Sequence, residues 1–289
     1  MEITLITLWF RKLLEALRIK EGPSPGEKVD QPMERRRETF TVVSDGIRIR
    51  GWILFPVAKP ARLYPVVVIC HGIPGSGTAR PRNDPGYEGF AQELVDTGVA
   101  AVVFNFRGCG DSGGDFDMMG WTRDLDAVLD RVLNTPHLDP TRVMLLGFSG
   151  GGAAAIKVAA DNPKVYALAS VSAPAHFEIF QTTPSEIIDD FRKRGLLKDP
   201  SFPQNVERWI DGFREIEPRR WIAYFKGKWA LILHGDQDEL IPVAHAHELA
   251  QHAPAGTTEL SIILGGVHRL RLDPRCVEAL KQWISKTLL

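Results

Sequence analysis

Ser149 is the residue in this sequence whose neighbours point most clearly to chemistry. It stands in Gly-Phe-Ser-Gly-Gly (147–151), after an apolar run at 142–146 and before a run of small residues at 153–160. The apolar run predicts a buried strand, and the run of small residues predicts a helix. A sharp turn between a strand and a helix presents a serine beside the backbone N–H donors of the helix start. The pattern predicts a serine nucleophile, and the alternative is a glycine-rich loop with a solvated serine.

A serine hydroxyl needs a base that removes its proton, and the base needs an acid that orients it. On a parallel sheet, the acid and the histidine can follow the serine at the ends of later strands. Asp238 follows a predicted strand at 230–233, and His268 follows a predicted strand at 259–264. We therefore expect Ser149, His268 and an aspartate of the loop after the first of these strands to act together in nucleophilic catalysis.

Other residues compete for the roles of acid and base. Asp236, two residues before Asp238, is the alternative acid. His71 and His234 each precede a glycine at the end of a predicted strand, and we interpret them as residues that shape their loops by hydrogen bonding. Three further histidines lie on a predicted helix, where their spacing does not align them on one face for a metal ion: His245, His247 and His252.

Composition limits the classes of function. The chain has 289 residues, of which 44% are hydrophobic, and this is enough for one large domain with a sizeable core. A formal net charge of −1 provides no general attraction for nucleic acid. The three cysteines are an odd and widely spaced set, which fits neither a disulfide framework nor a zinc site and favours a reducing, cytoplasmic setting.

The first 37 residues are expected to precede the main domain. Residues 1–20 carry apolar side chains at helical spacing and predict an amphipathic helix, whereas 21–37 are rich in proline, glycine and charge and predict a linker. The acidic Glu2, with no basic residue before the apolar run, argues against a secretory signal. We expect the helix to pack on the body or on a second copy in a homo-oligomer, and docking to a membrane surface is the alternative.

Strand and helix patterns alternate from residue 38 onward. Two β-rich runs at 38–43 and 47–54 are joined by Ser-Asp-Gly, which predicts a hairpin. Later apolar runs of strand length alternate with longer helical patterns. This alternation predicts an α/β domain over 38–289, with a mostly parallel central sheet and helices on both faces.

Residues 172–228 interrupt the alternation with helical patterns and many aromatic residues. Because a structureless loop of this length is improbable in a compact domain, we expect a small helical cap over the C-terminal ends of the strands. Some aromatic side chains of this region could bind substrate, although packing in the core of the insertion itself is the better interpretation for most of them. The substrate-binding candidates are Phe177, Trp209, Phe213 and Trp221.

Four motifs in the sequence resemble those of the α/β-hydrolase fold superfamily, above all its carboxylesterases and prolyl-oligopeptidase-like hydrolases. Residues 235–242 match its G-x-x-D-x-x-[VI]-P motif, and 266–268 match its late G-x-H motif. Residues 71–75 match its oxyanion loop, and 105–113 match its D-x-R-G-x-G-x-S loop except for asparagine in the first position. The resemblance extends from residue 38 to the C-terminus.

The resemblance implies that Asp238 is the acid and His268 the base, and that the N–H groups of Ile73 and Gly150 bind the oxyanion. It implies hydrolysis of a small-molecule ester with a small to medium acyl or aryl group, without a metal ion or organic cofactor. An aminopeptidase-like or acyl-peptide hydrolase that uses the same three residues is the alternative activity. A binding protein on an inactive hydrolase scaffold is an alternative of a different class.

Overall fold

The structure is a computed structural model that describes residues 36–57, 63–75, 84–178 and 183–289. The predicted amphipathic helix at 1–20 and nearly all of the predicted linker lie outside the described residues. Among the helices of the described part, none combines the length and the apolar character that crossing a bilayer requires.

Within the described residues, eight strands form one sheet. The strands are β1 (Arg37–Ser44), β2 (Ile47–Leu54), β3 (Tyr64–Cys70), β4 (Ala100–Phe104), β5 (Leu138–Phe148), β6 (Val165–Val171), β7 (Trp229–Gly235) and β8 (Thr258–Ile263). The described α-helices are α1 (Gly86–Val95), α2 (Met118–Leu133), α3 (Gly150–Asp161), α4 (Pro184–Lys193), α5 (Val206–Glu215), α6 (Pro218–Trp221), α7 (Ala244–His252) and α8 (Pro274–Leu288).

The strands lie in the order β1-β2-β4-β3-β5-β6-β7-β8. The pairs β1–β2 and β2–β4 are antiparallel, and all other neighbours are parallel. The predicted hairpin turns at Asp45 and Gly46, whose φ angles of 51° and 76° suit a tight two-residue turn. The direction of strand order reverses at β3, which has β4 on one side and β5 on the other. Sheets of this type bind ligands at the C-terminal ends of the strands beside such a reversal.

Alternating side chains of the strands enter two separate cores. On β3, Val66 and Val68 pack on the face that α2, α3 and α7 cover, whereas Val67 and Ile69 pack on the face that α1 and α8 cover. Burial on both faces explains why this strand is an uninterrupted apolar run in the sequence. The predicted fold class, a mostly parallel sheet with helices on both faces, is confirmed.

The chain between β6 and β7 is helical in its described part. Helix α4 begins with a capping box, in which the side chains of Thr183 and Glu186 each accept the backbone N–H of the other residue. Phe116, from the loop before α2, anchors this region to the main domain. It makes ring contacts with Phe191, Trp209 and Phe213.

A buried ion pair joins the first hairpin to the body of the domain. The guanidinium of Arg107 is 4% exposed and donates to Asp124 of α2 at 2.7 and 3.0 Å. The same guanidinium donates to Ser44 and Asp45 at 2.9 Å. Asn105 stands where the family motif has an acid, and Arg107 obtains its carboxylate partners from α2 and the hairpin instead.

Candidate active site

The turn between β5 and α3 presents Ser149 at its apex. Ser149 has φ 51° and ψ −125°, a conformation that residues with a Cβ rarely adopt and that is typical of a nucleophile turn. Backbone atoms lie very close to the glycines on either side of Ser149. A Cβ at Gly151 would lie 2.5 Å from the carbonyl oxygen of Cys70, and one at Gly147 would lie 2.5 Å from Cα of Gly152. Glycine is therefore required at both positions by the close approach of α3 to the strand ends.

His268 bridges Ser149 and Asp238. Its Nε2 lies 3.1 Å from Oγ of Ser149, and its Nδ1 lies 2.8 Å from Oδ2 of Asp238. Because the carboxylate can only accept, the proton of the neutral imidazole is on Nδ1, and Nε2 keeps a lone pair that can accept the serine proton. The structure thus brings together three residues that the sequence placed after β5, β7 and β8.

Asp238 is surrounded by hydrogen-bond donors, and its side chain is fully buried. The backbone N–H groups of Leu240 and Ile241 donate to Oδ1 at 3.0 and 2.8 Å, while His268 and His234 face Oδ2 at 2.8 and 3.3 Å. Burial by itself would raise the pKa of Asp238, but hydrogen bonds from His234, His268 and Ile241 outweigh it and hold the pKa below its usual range. The carboxylate therefore stays ionised and can stabilise an imidazolium.

The rival acid and one rival histidine have other partners. Oδ1 of Asp236 accepts the N–H of Gly265 at 2.6 Å, which ties the loop after β7 to the loop after β8. His71 donates from Nδ1 to the carbonyl of Gly72 at 2.8 Å, and its Nε2 accepts the N–H of Phe106 at 3.1 Å. Asp236 and His71 therefore hold loops at the edge of the site.

The loop after β3 lies against the nucleophile. A Cβ at Gly72 would lie 3.1 Å from Cβ of Ser149, and a Cβ at Gly150 would lie 3.7 Å from the backbone N of Ile73. Gly150 is the first residue of α3, where N–H groups have no partner within the helix. Within the described ranges, neither Ile73 nor Gly150 donates its N–H to another group of the protein. Both N–H groups are thus available to an oxyanion beside Ser149.

A tyrosine and an ion pair support the oxyanion loop. Oη of Tyr87 accepts the N–H of Gly72 at 3.2 Å, and the guanidinium carbon of Arg271 lies 4.8 Å from the centre of the tyrosine ring. Arg271 in turn donates to both carboxylate oxygens of Asp84 at 2.8 and 2.7 Å. Because Arg271 follows His268 by three residues, these contacts connect the histidine loop to the oxyanion loop. No motif or periodicity in the sequence indicated Tyr87, Arg271 or Asp84.

The aromatic candidates for substrate binding occupy two places. Three of them belong to the ring cluster around Phe116: Phe177, Trp209 and Phe213. The ring contacts given for Trp221 are with other residues, Nζ of Lys157 at 3.7 Å and the ring of Tyr224. Lys157 is eight residues from Ser149, which corresponds to about 12 Å along α3. A role of these four rings in substrate binding stays a prediction.

One group of described side chains has the residue types of a metal site: His176, His245 and Glu248. Nδ1 of His245 accepts a backbone N–H at 3.1 Å, and Nδ1 of His176 accepts one at 3.3 Å. Each neutral ring then carries its proton on Nε2, so neither has a lone pair left for a cation. Glu248 is also paired with Arg219 at 3.2 Å. Nε2 of His176 lies 3.6 Å from the carboxylate of Glu248, a contact that suits a proton on Nε2.

Comparison with known proteins identifies the alpha/beta hydrolase fold in this chain. A family model described as the alpha/beta hydrolase fold matches residues 65–207. Dipeptidyl aminopeptidase A of Saccharomyces cerevisiae is 24% identical over 222 residues, which are 72% of this chain and 22% of the yeast protein. The chain spans less than half the length of several curated relatives that it matches.

Solved structures show the same fold. Est1E from Butyrivibrio proteoclasticus has a TM-score of 0.62 and 20% identity, over 86% of this chain and 98% of Est1E, and it has also been solved with ferulic acid bound. A 2,6-dihydroxy-pseudo-oxynicotine hydrolase has a TM-score of 0.65 and 21% identity, over 89% of this chain and 68% of that protein. Together with the family match, these similarities confirm the resemblance to the α/β-hydrolase fold superfamily that the four sequence motifs indicated.

Proposed function

We propose that this protein, a member of the α/β-hydrolase superfamily, is a serine hydrolase that cleaves carboxylic esters with small to medium acyl or aryl groups through an acyl-enzyme intermediate. The observation that carries the proposal is the continuous hydrogen-bonded path from Oγ of Ser149 through His268 to the buried carboxylate of Asp238. Such a path supplies the base and the orientation that a serine needs to attack a carbonyl at neutral pH.

In the acylation step, Oγ of Ser149 bonds to the ester carbonyl carbon while its proton passes to Nε2 of His268. The carbonyl oxygen becomes an oxyanion, which the N–H groups of Ile73 and Gly150 stabilise; one such donor is typically worth about 3–4 kcal/mol. Collapse of the intermediate re-forms the C=O bond and breaks the bond to the leaving oxygen. That oxygen takes the proton from His268 and departs as an alcohol, while Asp238 stabilises the imidazolium.

Deacylation repeats the same proton transfers with water. His268 takes a proton from a water molecule as its oxygen attacks the acyl carbon, and the same two N–H groups hold the new oxyanion. Collapse breaks the bond between the acyl carbon and Oγ of Ser149, and His268 returns the proton to Oγ. The carboxylic acid is released, and the side chains are back in their starting states.

The extent of similarity supports an ester substrate over a peptide. The chain covers 98% of Est1E but 22% of dipeptidyl aminopeptidase A. The ligand seen with Est1E, ferulic acid, is an aromatic carboxylic acid. Hydrolysis of a cinnamoyl-type ester releases an acid of this kind, and such esters belong to the aryl class proposed here.

A comparison of p-nitrophenyl esters of increasing acyl length with p-nitroanilide peptides tests the reaction class. We expect ester cleavage, and we expect Ser149→Ala and His268→Ala each to lower the turnover number by at least about 10³-fold. Circular dichroism spectra that match the wild type would show that both variants keep their fold. Ester hydrolysis near the wild-type rate in either variant would refute the proposal, and preferential cleavage of the anilides would favour the peptidase alternative.

Labelling with a fluorophosphonate tests the nucleophile without any assumption about the substrate. Only an activated serine reacts rapidly with this reagent, so the wild type should be labelled and Ser149→Ala should not. A wild-type protein that resists labelling would indicate a binding protein on an inactive scaffold.

A further inference from the structure

His234, near the C-terminal end of β7, lies directly behind the acid of the site. Its side chain is 1% exposed, and its Nε2 lies 2.8 Å from the carbonyl oxygen of Ile241 and 3.3 Å from Oδ2 of Asp238. Because both neighbours are acceptors, Nε2 carries the proton; it donates to the carbonyl oxygen of Ile241, and Oδ2 of Asp238 lies beside the same N–H as a charged contact. Oδ2 of Asp238 therefore faces two histidines, with His268 at 2.8 Å and His234 at 3.3 Å.

The other ring nitrogen of His234 has no comparable contact. Among the described residues, Nδ1 of His234 is buried without a hydrogen-bond partner, and so is Oγ of Ser172. Ser172 follows Val171, which pairs with Leu233, so it is the neighbour of His234 in the sheet register. An unsatisfied buried nitrogen is unfavourable. Nε2 therefore makes the polar contacts of this ring, with Ile241 at 2.8 Å and with Asp238 at 3.3 Å.

We propose that His234 is a positioning residue of the catalytic triad, whose Nε2–H holds Oδ2 of Asp238 against Nδ1 of His268 and offsets part of the carboxylate charge. The inference rests on the proposed function, because it concerns how the acid of that same site is controlled. It goes beyond the role that the sequence predicted for His234, which was to shape its loop, because it gives His234 a direct influence on the base His268.

The electrostatic argument has a definite sign. A donor on one side of a carboxylate weakens the field that the carboxylate exerts on its other partner. Without the N–H of His234, Asp238 would stabilise the protonated form of His268 more strongly, and His268 would keep its proton to higher pH. The hydrogen bonds of His234 and His268 lower the pKa of Asp238 although burial would raise it, which supports this direct coupling.

Other titratable groups near the pair come from α7 and the loop after β6. His245 interacts with both His234 and Asp238, and its pKa is lowered by burial and by His176, while Glu248 acts in the opposite sense. These three groups are unchanged in the variants described next. A shift in the titration of His268 can therefore be assigned to position 234.

Two amide substitutions separate the hydrogen bond from packing. His234→Gln can place an N–H where Nε2 of histidine stands, whereas His234→Asn reaches only as far as Nδ1. Both keep a polar side chain of similar size in the same buried place. We expect His234→Gln to stay within about threefold of the wild-type kcat with the same pH profile. We expect His234→Asn to lose about tenfold or more in kcat with KM little changed, and its acid limb of kcat/KM to move to higher pH.

The same comparison can be made without substrate. The protein is labelled at the Cε1 atoms of histidine, and the titration of His268 is followed by NMR, with its signal assigned by its loss in His268→Gln. The midpoint should move to higher pH in His234→Asn and stay in place in His234→Gln. A wild type that cleaves no ester and resists fluorophosphonate would remove the proposed function, whereas the NMR titration tests the coupling separately.

Two results would overturn the inference. One is an equal pH profile and an equal His268 midpoint in the Gln and Asn variants. The other is a loss of activity in His234→Asn with an unmoved acid limb and an unmoved midpoint, because a role in packing alone lowers activity without changing the charge around His268.

Discussion

Ser149, His268 and Asp238 are each held in place by a different means. Ser149 is held by the backbone, at a φ angle of 51°. Asp238 is held by backbone N–H groups on one oxygen and by histidines on the other. His268, whose side chain is 19% exposed, is held between the two. The orientation of the base therefore depends on the acid, and this dependence can be tested by changing one atom of Asp238.

Asp238→Asn should lower kcat by roughly 10⁴-fold. The N–H groups of Leu240 and Ile241 would keep the amide oxygen in the place of Oδ1, so the amide NH₂ would face Nδ1 of His268. His268 would then carry its proton on Nε2 and could not accept the proton of Ser149. Steady-state kinetics on the best p-nitrophenyl ester provide the measurement.

Asp236→Asn is the matched control for this substitution. The amide oxygen of Asn can still accept the N–H of Gly265, so the tie between the two loops is kept. We expect its kcat to stay within a few-fold of the wild type. A larger loss in Asp236→Asn than in Asp238→Asn would mean that Asp236 is the acid.

The pH profile should contain one ionisation on its acid side. Burial would raise the pKa of Asp238, but its hydrogen bonds with His234 and His268 lower it below the usual range. Asp238 is therefore still ionised in the pH range where a free aspartate gains its proton, and log(kcat/KM) should fall with a slope no steeper than one through that range. A slope of two would show that the acid titrates in this range. The lowered pKa also favours folding above the usual range of aspartate, and this contribution is lost as the pH falls through the lowered value.

At the scale of elements, the site depends on how closely α3 approaches the ends of β3 and β5. Gly151→Ala would place a Cβ against the carbonyl oxygens of Cys70 and His71, which are backbone atoms of the strand end and the oxyanion loop. We expect a loss of at least about 1–3 kcal/mol in the free energy of unfolding, measured by urea denaturation, and slow fluorophosphonate labelling. Gly75→Ala is the control, because its Cβ would meet no atom of the described residues within 4 Å. Equal unfolding free energies and equal labelling rates in Gly151→Ala and Gly75→Ala would contradict this account.

The sequence predicted those elements whose pattern is local. Strand β2 has the predicted bounds of 47–54, since an apolar run flanked by turn residues defines it, whereas β5 begins at Leu138, four residues before the predicted 142–146. The first residues of β5 pair with β3 across a register irregularity between Tyr64 and Val66. The side chains there do not alternate in the simple pattern that predicts a strand from sequence. Glycine-rich loops at strand ends also indicated Ser149 and His268, and the family motif at 235–242 indicated Asp238.

The supporting contacts could not be predicted in the same way. Tyr87 reaches Gly72 over 15 positions, and Arg271 reaches Asp84 over 187 positions. Such contacts depend on how α1 and the histidine loop meet across the sheet edge, which no spacing along the chain records. His234 was correctly placed at a strand end, but its contact with Asp238 requires the geometry of the loop between them.

At the scale of the whole molecule, Arg107 joins the antiparallel hairpin to the body of the domain, because it pairs with Asp45 of the hairpin and with Asp124 of α2. Asp124→Ala would leave a guanidinium that is 4% exposed with Asp45 as its remaining carboxylate partner. We expect a loss of about 3–5 kcal/mol in the free energy of unfolding. Glu259→Ala removes the exposed partner of Lys286 and should cost less than about 1 kcal/mol, so urea unfolding of both variants gives the comparison. Equal losses of unfolding free energy in Asp124→Ala and Glu259→Ala would show that burial of the Arg107–Asp124 pair does not increase its contribution to stability.

The helical segment between β6 and β7 leaves and rejoins the sheet at adjacent strands. The pairing of Ala167 with Trp229 through Val171 with Leu233 is continuous despite the many residues between them. The distance between the nucleophile turn after β5 and the acid loop after β7 is set by the pairing of β6 with both strands, so it does not depend on how long the segment is. Proteins with this fold can therefore replace or lengthen the segment between β6 and β7 and change their selectivity, while the positions of the nucleophile and the acid are preserved.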